Sequence, residues 1–67
     1  MKNSIKVERA KKNFTQAQLA ELAKVSRQTI NAIELGKYVP SALLALRLAQ
    51  IFETSVEEIF QLEEGEM

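Results

Sequence analysis

Apolar residues recur at intervals of three and four along most of the chain, which is the spacing of one face of an α-helix. The pattern predicts a first helix over residues 5–12, with Ser4 at its N-cap and a break at Asn13. A second helix opens at the capping box "TQAQ", residues 15–18, in which a Thr and a Gln three residues later satisfy backbone N–H groups. Its expected inward residues are Leu19, Ala20, Leu22 and Ala23.

A third helix follows almost at once. Lys24 and Val25 leave room only for a tight turn, and Ser26 is a suitable N-cap for a helix that runs to about Leu35. Gly36 is the expected stop, because glycine tolerates the left-handed backbone that ends many helices. Residues 16–35 are therefore expected to form two short helices joined by a tight turn. The apolar residues expected to lock them together are Leu19, Ala20, Leu22, Val25, Ile30 and Ile33.

The C-terminal half predicts two more helices. Ser41 can cap a fourth helix over Ala42 to Phe52, and a second capping box at residues 55–58 opens a short fifth helix that ends near Phe60. Short connectors between all these helices predict one compact all-α domain over residues 1–67. Residues 60–63 alternate apolar and polar side chains, and a short strand there could pair with residues 1–5 as a terminal β-ribbon.

The fourth helix is apolar on more than one side. One stripe suits a core, namely Leu44, Ala45, Leu48, Ala49 and Phe52. A 67-residue chain buries only a small core, which leaves two interpretations of the other apolar residues: the fifth helix covers them, or a second subunit does. We favour a homodimer built from the region 42–63. The residues expected at its interface are Leu43, Leu46, Ile51, Ile59, Phe60 and Leu62.

Composition removes several classes of function. The chain has no Cys and no His, so disulfides, a Cys/His zinc site and a His-activated nucleophile are all excluded. We therefore expect no enzyme activity, no cofactor and no metal, and no small-molecule ligand is evident. No apolar stretch approaches the roughly 18–20 residues of a membrane span, so a cytoplasmic protein without a membrane partner is expected.

The net charge of zero conceals a polarised chain. Residues 1–38 contain eight basic and three acidic side chains, a net charge of +5, whereas residues 39–67 contain one basic and six acidic side chains, a net charge of −5. A basic half suits a phosphate backbone, although runs of charge are often only solvated surface.

The expected outward face of the third helix carries Arg27, Gln28 and Asn31, opposite Ile30 and Ile33. Arg matches guanine O6 and N7, and Gln or Asn matches adenine N6 and N7, in the major groove that accepts an α-helix. A solvated polar face is the ordinary interpretation of any one such residue. The spacing, the basic half and the capped helix pair together favour recognition of double-stranded DNA.

The segment "TQAQLAELAKVSRQTINAIELGK", residues 15–37, resembles the helix-turn-helix of the lambda Cro and repressor family. The flanking segments 5–16 and 40–60 resemble that family's first helix and its fourth and fifth helices. The compact stand-alone regulators of this family, among them the bacterial cytolysin repressor, are the most similar subgroup. The resemblance implies a repressor that binds a palindromic operator as a homodimer. An antitoxin and a helix-turn-helix protein-interaction module are the alternatives.

The resemblance also implies roles for individual residues. Arg27, Gln28 and Asn31 would contact base edges, and Arg9 with Glu34 would form an ion pair across the domain. The implied phosphate contacts are Gln16, Ser26, Thr29, Lys37 and Tyr38.

Three residues depart from the family pattern. Lys24 replaces the usual turn Gly, Glu8 replaces an apolar residue, and Val39 replaces a polar one before Pro40. Lys24 is therefore expected at positive φ, Glu8 is expected to face solvent or a cation, and Val39 is not assigned to the DNA contacts.

Overall fold

The computed structural model describes residues 1–66, so Met67, the last residue of the predicted domain, lies outside the described part. Five helices form a mostly helical fold, and two very short strands flank them. The elements in chain order are β1 (Lys2–Asn3), α1 (Ile5–Lys12), α2 (Gln16–Ala23), α3 (Arg27–Glu34), α4 (Ala42–Phe52), α5 (Val56–Ile59) and β2 (Phe60–Gln61). The predicted all-α fold with five helices is confirmed. Within residues 1–66 no helix is long and apolar enough to cross a membrane.

Side-chain caps set most of the helix starts. The capping box of α2 is complete, since the Thr15 hydroxyl accepts from the Gln18 N–H at 3.0 Å and the Gln18 carbonyl oxygen accepts from the Thr15 N–H at 2.8 Å. Hydroxyls of Ser26, Ser41 and Ser55 each accept a backbone N–H at the start of α3, α4 and α5. These local signals explain why the sequence locates the helices so closely.

Two expectations about caps were wrong. The Ser4 side chain makes no cap at α1; instead the Asn3 Oδ1 accepts from the Ile5 N–H at 3.2 Å. The Ser4 hydroxyl is used elsewhere, donating to the Glu58 carbonyl at 3.2 Å. At α5 only the Ser55 half of the expected box is present among the hydrogen bonds of residues 1–66, because no bond joins the Glu58 side chain to the Ser55 N–H.

The terminal β-ribbon is present and lies within one chain. β1 and β2 pair antiparallel, with Lys2 opposite Gln61 and Asn3 opposite Phe60. The Asn3 Nδ2 donates to the Ile33 carbonyl at 2.8 Å, so the ribbon is tied directly to the end of α3. The two ends of the chain therefore support the helix expected to carry the DNA contacts.

The core draws on all five helices and on β2. Its fully buried large residues are Ile5, Leu19, Ile30, Ile33, Leu48 and Ile59. The expected stripe of α4 is buried as predicted. Leu22 is not inward as expected: it is 50% exposed, because α2 turns Leu19, Ala20 and Ala23 to the core and leaves Leu22 at the edge of that stripe.

The fifth helix and β2 correct part of the predicted subunit interface. Ile59 is 0% exposed and Phe60 is 8% exposed, so both belong to the core and are not free to contact a second subunit. Ile51 is half-buried against the core. The other three predicted interface residues are exposed, Leu43 at 60%, Leu46 at 59% and Leu62 at 60%. The small core thus accommodates more of the apolar residues than the sequence suggested.

Lys24 ends α2 in the left-handed conformation, with φ of 61°, as its place in the turn predicts. A side chain there is strained by contact between Cβ and the backbone. Lys24→Gly should therefore raise the free energy of unfolding by about 0.5–1 kcal/mol, after the greater chain entropy of unfolded glycine is deducted. Thermal melting is the measurement. Lys24→Ala, which keeps the Cβ, is the control and should give no such gain; equal melting temperatures for the two variants would contradict the strain.

Candidate nucleic-acid interface

Two short helices form the structural base of the candidate site. Leu19 and Ala23 of α2, and Ile30 and Ile33 of α3, are all buried, and these two helices make the most extensive inter-helix contact of the fold. The intervening turn is closed by a hydrogen bond from the Val25 N–H to the Ala20 carbonyl at 3.0 Å. This packing holds α3 against α2 and determines which of its side chains face outward.

The outward face of α3 carries the three residues expected to contact bases. Arg27, Gln28 and Asn31 are all exposed, and they line one shallow depression together with Gln16 of α2. No hydrogen bond or ion pair within residues 1–66 engages the side chain of Arg27 or Gln28. The structure therefore brings the sequence-predicted group together and leaves two of its members free to bind.

The other four expected phosphate residues lie near the two ends of α3. The Ser26 hydroxyl caps α3 and also lies 3.0 Å from the Thr29 hydroxyl, so both hydroxyls serve the start of the helix. Gly36, at φ of 75°, ends the segment, and the exposed side chains of Lys37 and Tyr38 follow in the next loop. Cations and hydroxyls thus flank the two ends of α3.

A tight ion pair lies behind the exposed face. Arg9 Nε donates to Glu34 Oε2 at 2.7 Å and Arg9 Nη2 donates to Glu34 Oε1 at 3.1 Å, while Arg9 Nη1 donates to the Phe14 carbonyl at 3.1 Å. The side chains are 16% and 9% exposed. Hydrogen bonding to Glu34 raises the pKa of the Arg9 guanidinium above its ordinary value. This bidentate pair joins α1 to the end of α3, as the resemblance implied.

Gln16 connects that ion pair to the exposed face. Its Nε2 donates both to Glu34 Oε1 at 3.2 Å and to Asn31 Oδ1 at 3.2 Å. Sequence reasoning missed this network. The spacing of residues 31 and 34 on one helix places them on the same side of α3, but nothing in the sequence shows that residue 16 of another helix lies between them.

The departures from the family pattern also have structural accounts. Glu8 finds a cation on its own helix, since Lys11 Nζ lies 3.2 Å from Glu8 Oε2. Val39 stands exposed in the loop after α3.

Arg47 of α4, which the sequence did not single out, supports the end of α2. Its Nη1 donates to the Ala23 carbonyl at 3.3 Å, which provides a hydrogen-bond donor for a carbonyl in the last turn of α2.

Most basic side chains of residues 1–38 take part in no ion pair within the described residues. Ion pairs within residues 1–66 engage Arg9, Lys11 and Lys12, and Lys12 Nζ lies 2.6 Å from Glu53 Oε1. A hydrogen bond and charge attraction from Lys12 lower the pKa of the Glu53 carboxyl. The basic side chains of residues 1–38 that no described ion pair engages are Lys2, Lys6, Lys24, Arg27 and Lys37.

A family model described as helix-turn-helix matches residues 5–59, which is most of the chain. The chain belongs to the Cro/C1-type helix-turn-helix family. In the terms of that family, α2 and α3 are the two helices of the helix-turn-helix unit, and the exposed face of α3 belongs to its second helix. Both strands of the β-ribbon lie outside the matched residues.

Similar helix-turn-helix proteins of nearly the same length occur in bacteria and archaea. The uncharacterized HTH-type transcriptional regulator YgzD of Bacillus subtilis is 48% identical over 64 residues, covering 96% of this chain and 97% of its own length. An uncharacterized HTH-type transcriptional regulator of Methanocaldococcus jannaschii is 52% identical over 66 residues, covering 98% of this chain and 100% of its own length. The similarity therefore extends beyond the helix-turn-helix unit to nearly the whole chain.

Proposed function

We propose that this protein is a sequence-specific DNA-binding transcriptional regulator that places α3 in the major groove of an operator. The observation that carries the proposal is the face of α3, where Arg27 and Gln28 stand exposed beside Asn31, with no side-chain partner among residues 1–66. An α-helix fits the major groove, and residues in the N-terminal part of such a helix reach the base edges. Arg27 suits guanine, and the two carboxamides suit adenine.

The main chain at the start of α2 is the proposed anchor for a phosphate. The Gln16 and Ala17 N–H groups have no acceptor within the described residues, as expected for the first turn of a helix, and such groups favour anions. Both amide hydrogens of the Gln16 side chain are already used inside the protein. We therefore assign the proposed phosphate contact at Gln16 to its backbone N–H.

Further proposed phosphate contacts come from the edges of α3. The hydroxyls of Ser26 and Thr29 each retain capacity for another hydrogen bond beyond the cap. Lys37 and Tyr38 extend from the loop beyond the helix. Contacts of this kind fix the orientation of a protein on the duplex without reading its sequence.

The proposed active form is a C2 homodimer that binds a palindromic operator. One helix-turn-helix reads only a few base pairs, and two copies related by a two-fold axis read both half-sites. Leu43, Leu46 and Leu62 supply exposed apolar surface in the acidic half of the chain. We propose repression in the cytoplasm as the mode of action, because a bound dimer covers its operator and needs no further contact to block transcription.

Arg27→Ala tests the proposed recognition helix. We expect it to weaken binding to the preferred operator by about 1–3 kcal/mol and to relax the preference at one or two base positions, while non-specific binding barely changes. Fluorescence anisotropy on matched and mismatched duplexes is the measurement. Lys37→Ala is the contrasting variant: it should weaken binding to every sequence about equally and lower the salt slope by about one unit. Wild-type affinity and preference in Arg27→Ala would contradict the assignment.

A further inference from the structure

We infer that Arg9, Glu34 and Gln16 form a relay that fixes the orientation of the Asn31 carboxamide, and that Gln16 is therefore a positioning residue for base choice. This inference rests on the proposed function, since it concerns how one of the proposed base contacts is set. The four residues belong to three helices, and hydrogen bonds join them in series from the shielded ion pair to the exposed face.

The order of donors and acceptors in the relay allows one arrangement only. A carboxamide has two ends of nearly equal shape, and only its partners determine which end carries the oxygen. Glu34, paired with Arg9 at 2.7 Å, is a carboxylate and can only accept. The atom of Gln16 that lies 3.2 Å from Glu34 must therefore be its NH₂ nitrogen.

The assignment of the Gln16 nitrogen determines the orientation of the Asn31 carboxamide. The same Gln16 nitrogen lies 3.2 Å from one end of the Asn31 carboxamide. A nitrogen with two hydrogens can only donate, so the Asn31 atom that faces it must be the oxygen. The oxygen of Asn31 is thus held toward Gln16, and the NH₂ group of Asn31 takes the other side of the amide.

The fixed amide keeps its capacity to bind a base. The oxygen of Asn31 retains a second lone pair, and no hydrogen bond within residues 1–66 uses its NH₂ group. Adenine presents an acceptor at N7 beside a donor at N6, and a carboxamide matches that pair with its donor and acceptor in one order. Without Gln16 the amide can turn over and present the two groups in the reverse order. Through Gln16, the Arg9–Glu34 ion pair therefore fixes which groups Asn31 presents to the base, and so contributes to base preference at one position.

Selection of bound DNA from a randomised pool tests the relay with Gln16→Met, which removes the side-chain donors but keeps the backbone N–H proposed to hold phosphate. We expect the wild type to enrich one sequence motif. Asn31→Ala should remove the base preference at one position of that motif. Gln16→Met should reduce the preference at that same position by about threefold to tenfold, the size of one net hydrogen bond, and should leave the other positions unchanged.

Gln18→Met is the matched control, because it makes the same substitution on the same helix outside the relay. Gln18 belongs to the capping box, so this variant should melt at a lower temperature and keep the wild-type motif. Circular dichroism verifies folding, and Gln16→Ala is the second variant if Gln16→Met does not fold. In the DNA-free protein, the side-chain amide resonances of Asn31 should shift in Gln16→Met and stay in place in Gln18→Met.

The outcomes separate the relay from the proposed function. An unchanged motif in Gln16→Met, or an equal loss of affinity for all sequences, overturns the relay and leaves the proposed function standing. Unmoved Asn31 resonances overturn the relay without any use of DNA. A wild type that enriches no motif overturns the proposed function, and the role of the relay in base choice falls with it.

Discussion

Ile30→Ala is expected to lower the free energy of unfolding by about 2–5 kcal/mol, the usual cost of such a truncation in a core. Ile30 is fully buried between α2 and the rest of the core, on the side of α3 opposite its exposed polar face. A domain of this size has only a few kcal/mol of stability to lose. The substitution should therefore leave much of the protein unfolded near physiological temperature, and DNA binding should be lost along with the fold.

Denaturant and thermal melting followed by circular dichroism measure this loss. Leu22→Ala is the informative control, because the sequence pattern places Leu22 inward whereas the structure leaves it half exposed. We expect Leu22→Ala to change stability by no more than about 1 kcal/mol. Equal losses in the two variants would contradict the observed orientation of α2, and an unchanged midpoint for Ile30→Ala would contradict the packing of α3.

Leu46→Asp is expected to give a folded monomer that no longer binds the operator tightly. Leu46 is exposed on α4, three residues from the equally exposed Leu43, and it borders a groove between α4 and α5. A charge in a proposed apolar interface must be desolvated when the subunits pair, which disfavours the dimer. A monomer contacts one half-site only, so operator affinity should fall toward the non-specific level, by about 10³-fold or more.

Analytical ultracentrifugation at micromolar concentration, combined with operator binding, measures both effects. Leu62→Asp should behave like Leu46→Asp, whereas Val7→Asp, on the exposed side of α1, should leave the dimer intact. Ile59→Asp is unsuitable for this purpose, because Ile59 is fully buried and a charge there should unfold the chain. A wild-type monomer that still binds a palindrome tightly would contradict the preformed interface and leave only pairing on DNA.

The helix positions could be predicted from the sequence because the signals that set them are local. The capping box at Thr15 and Gln18, the serine cap of α3 and the glycine after it each involve residues at most a few positions apart. The start of α1 shows the limit of such signals. Ser4 stands at the N-cap, but its hydroxyl is drawn to the Glu58 carbonyl 54 residues away, and Asn3 supplies the hydrogen bond instead.

Burial was harder to predict because it depends on how distant elements pack. Ile59 and Phe60, at the end of the expected fifth helix, are predicted at a subunit interface, yet both are buried in the core, and Phe60 lies opposite Asn3 where β1 pairs with β2. The exposed group on α3 could be predicted, since helical spacing alone separates Arg27, Gln28 and Asn31 from the buried isoleucines. The connection of Asn31 to Gln16 could not, because it depends on the angle between two helices.

Selection of bound duplexes from a fully randomised pool by the wild-type protein is the sharpest test of whether α3 recognises a DNA sequence. We expect enrichment of one motif with two-fold symmetry, whose half-sites lie about 34–36 Å apart, or one turn of the duplex. Each half-site should contain the guanine and adenine contacts expected of Arg27, Gln28 and Asn31. A folded protein that enriches no sequence over the starting pool, or whose enriched motif is unaffected by changes at these three residues, would contradict sequence recognition by α3.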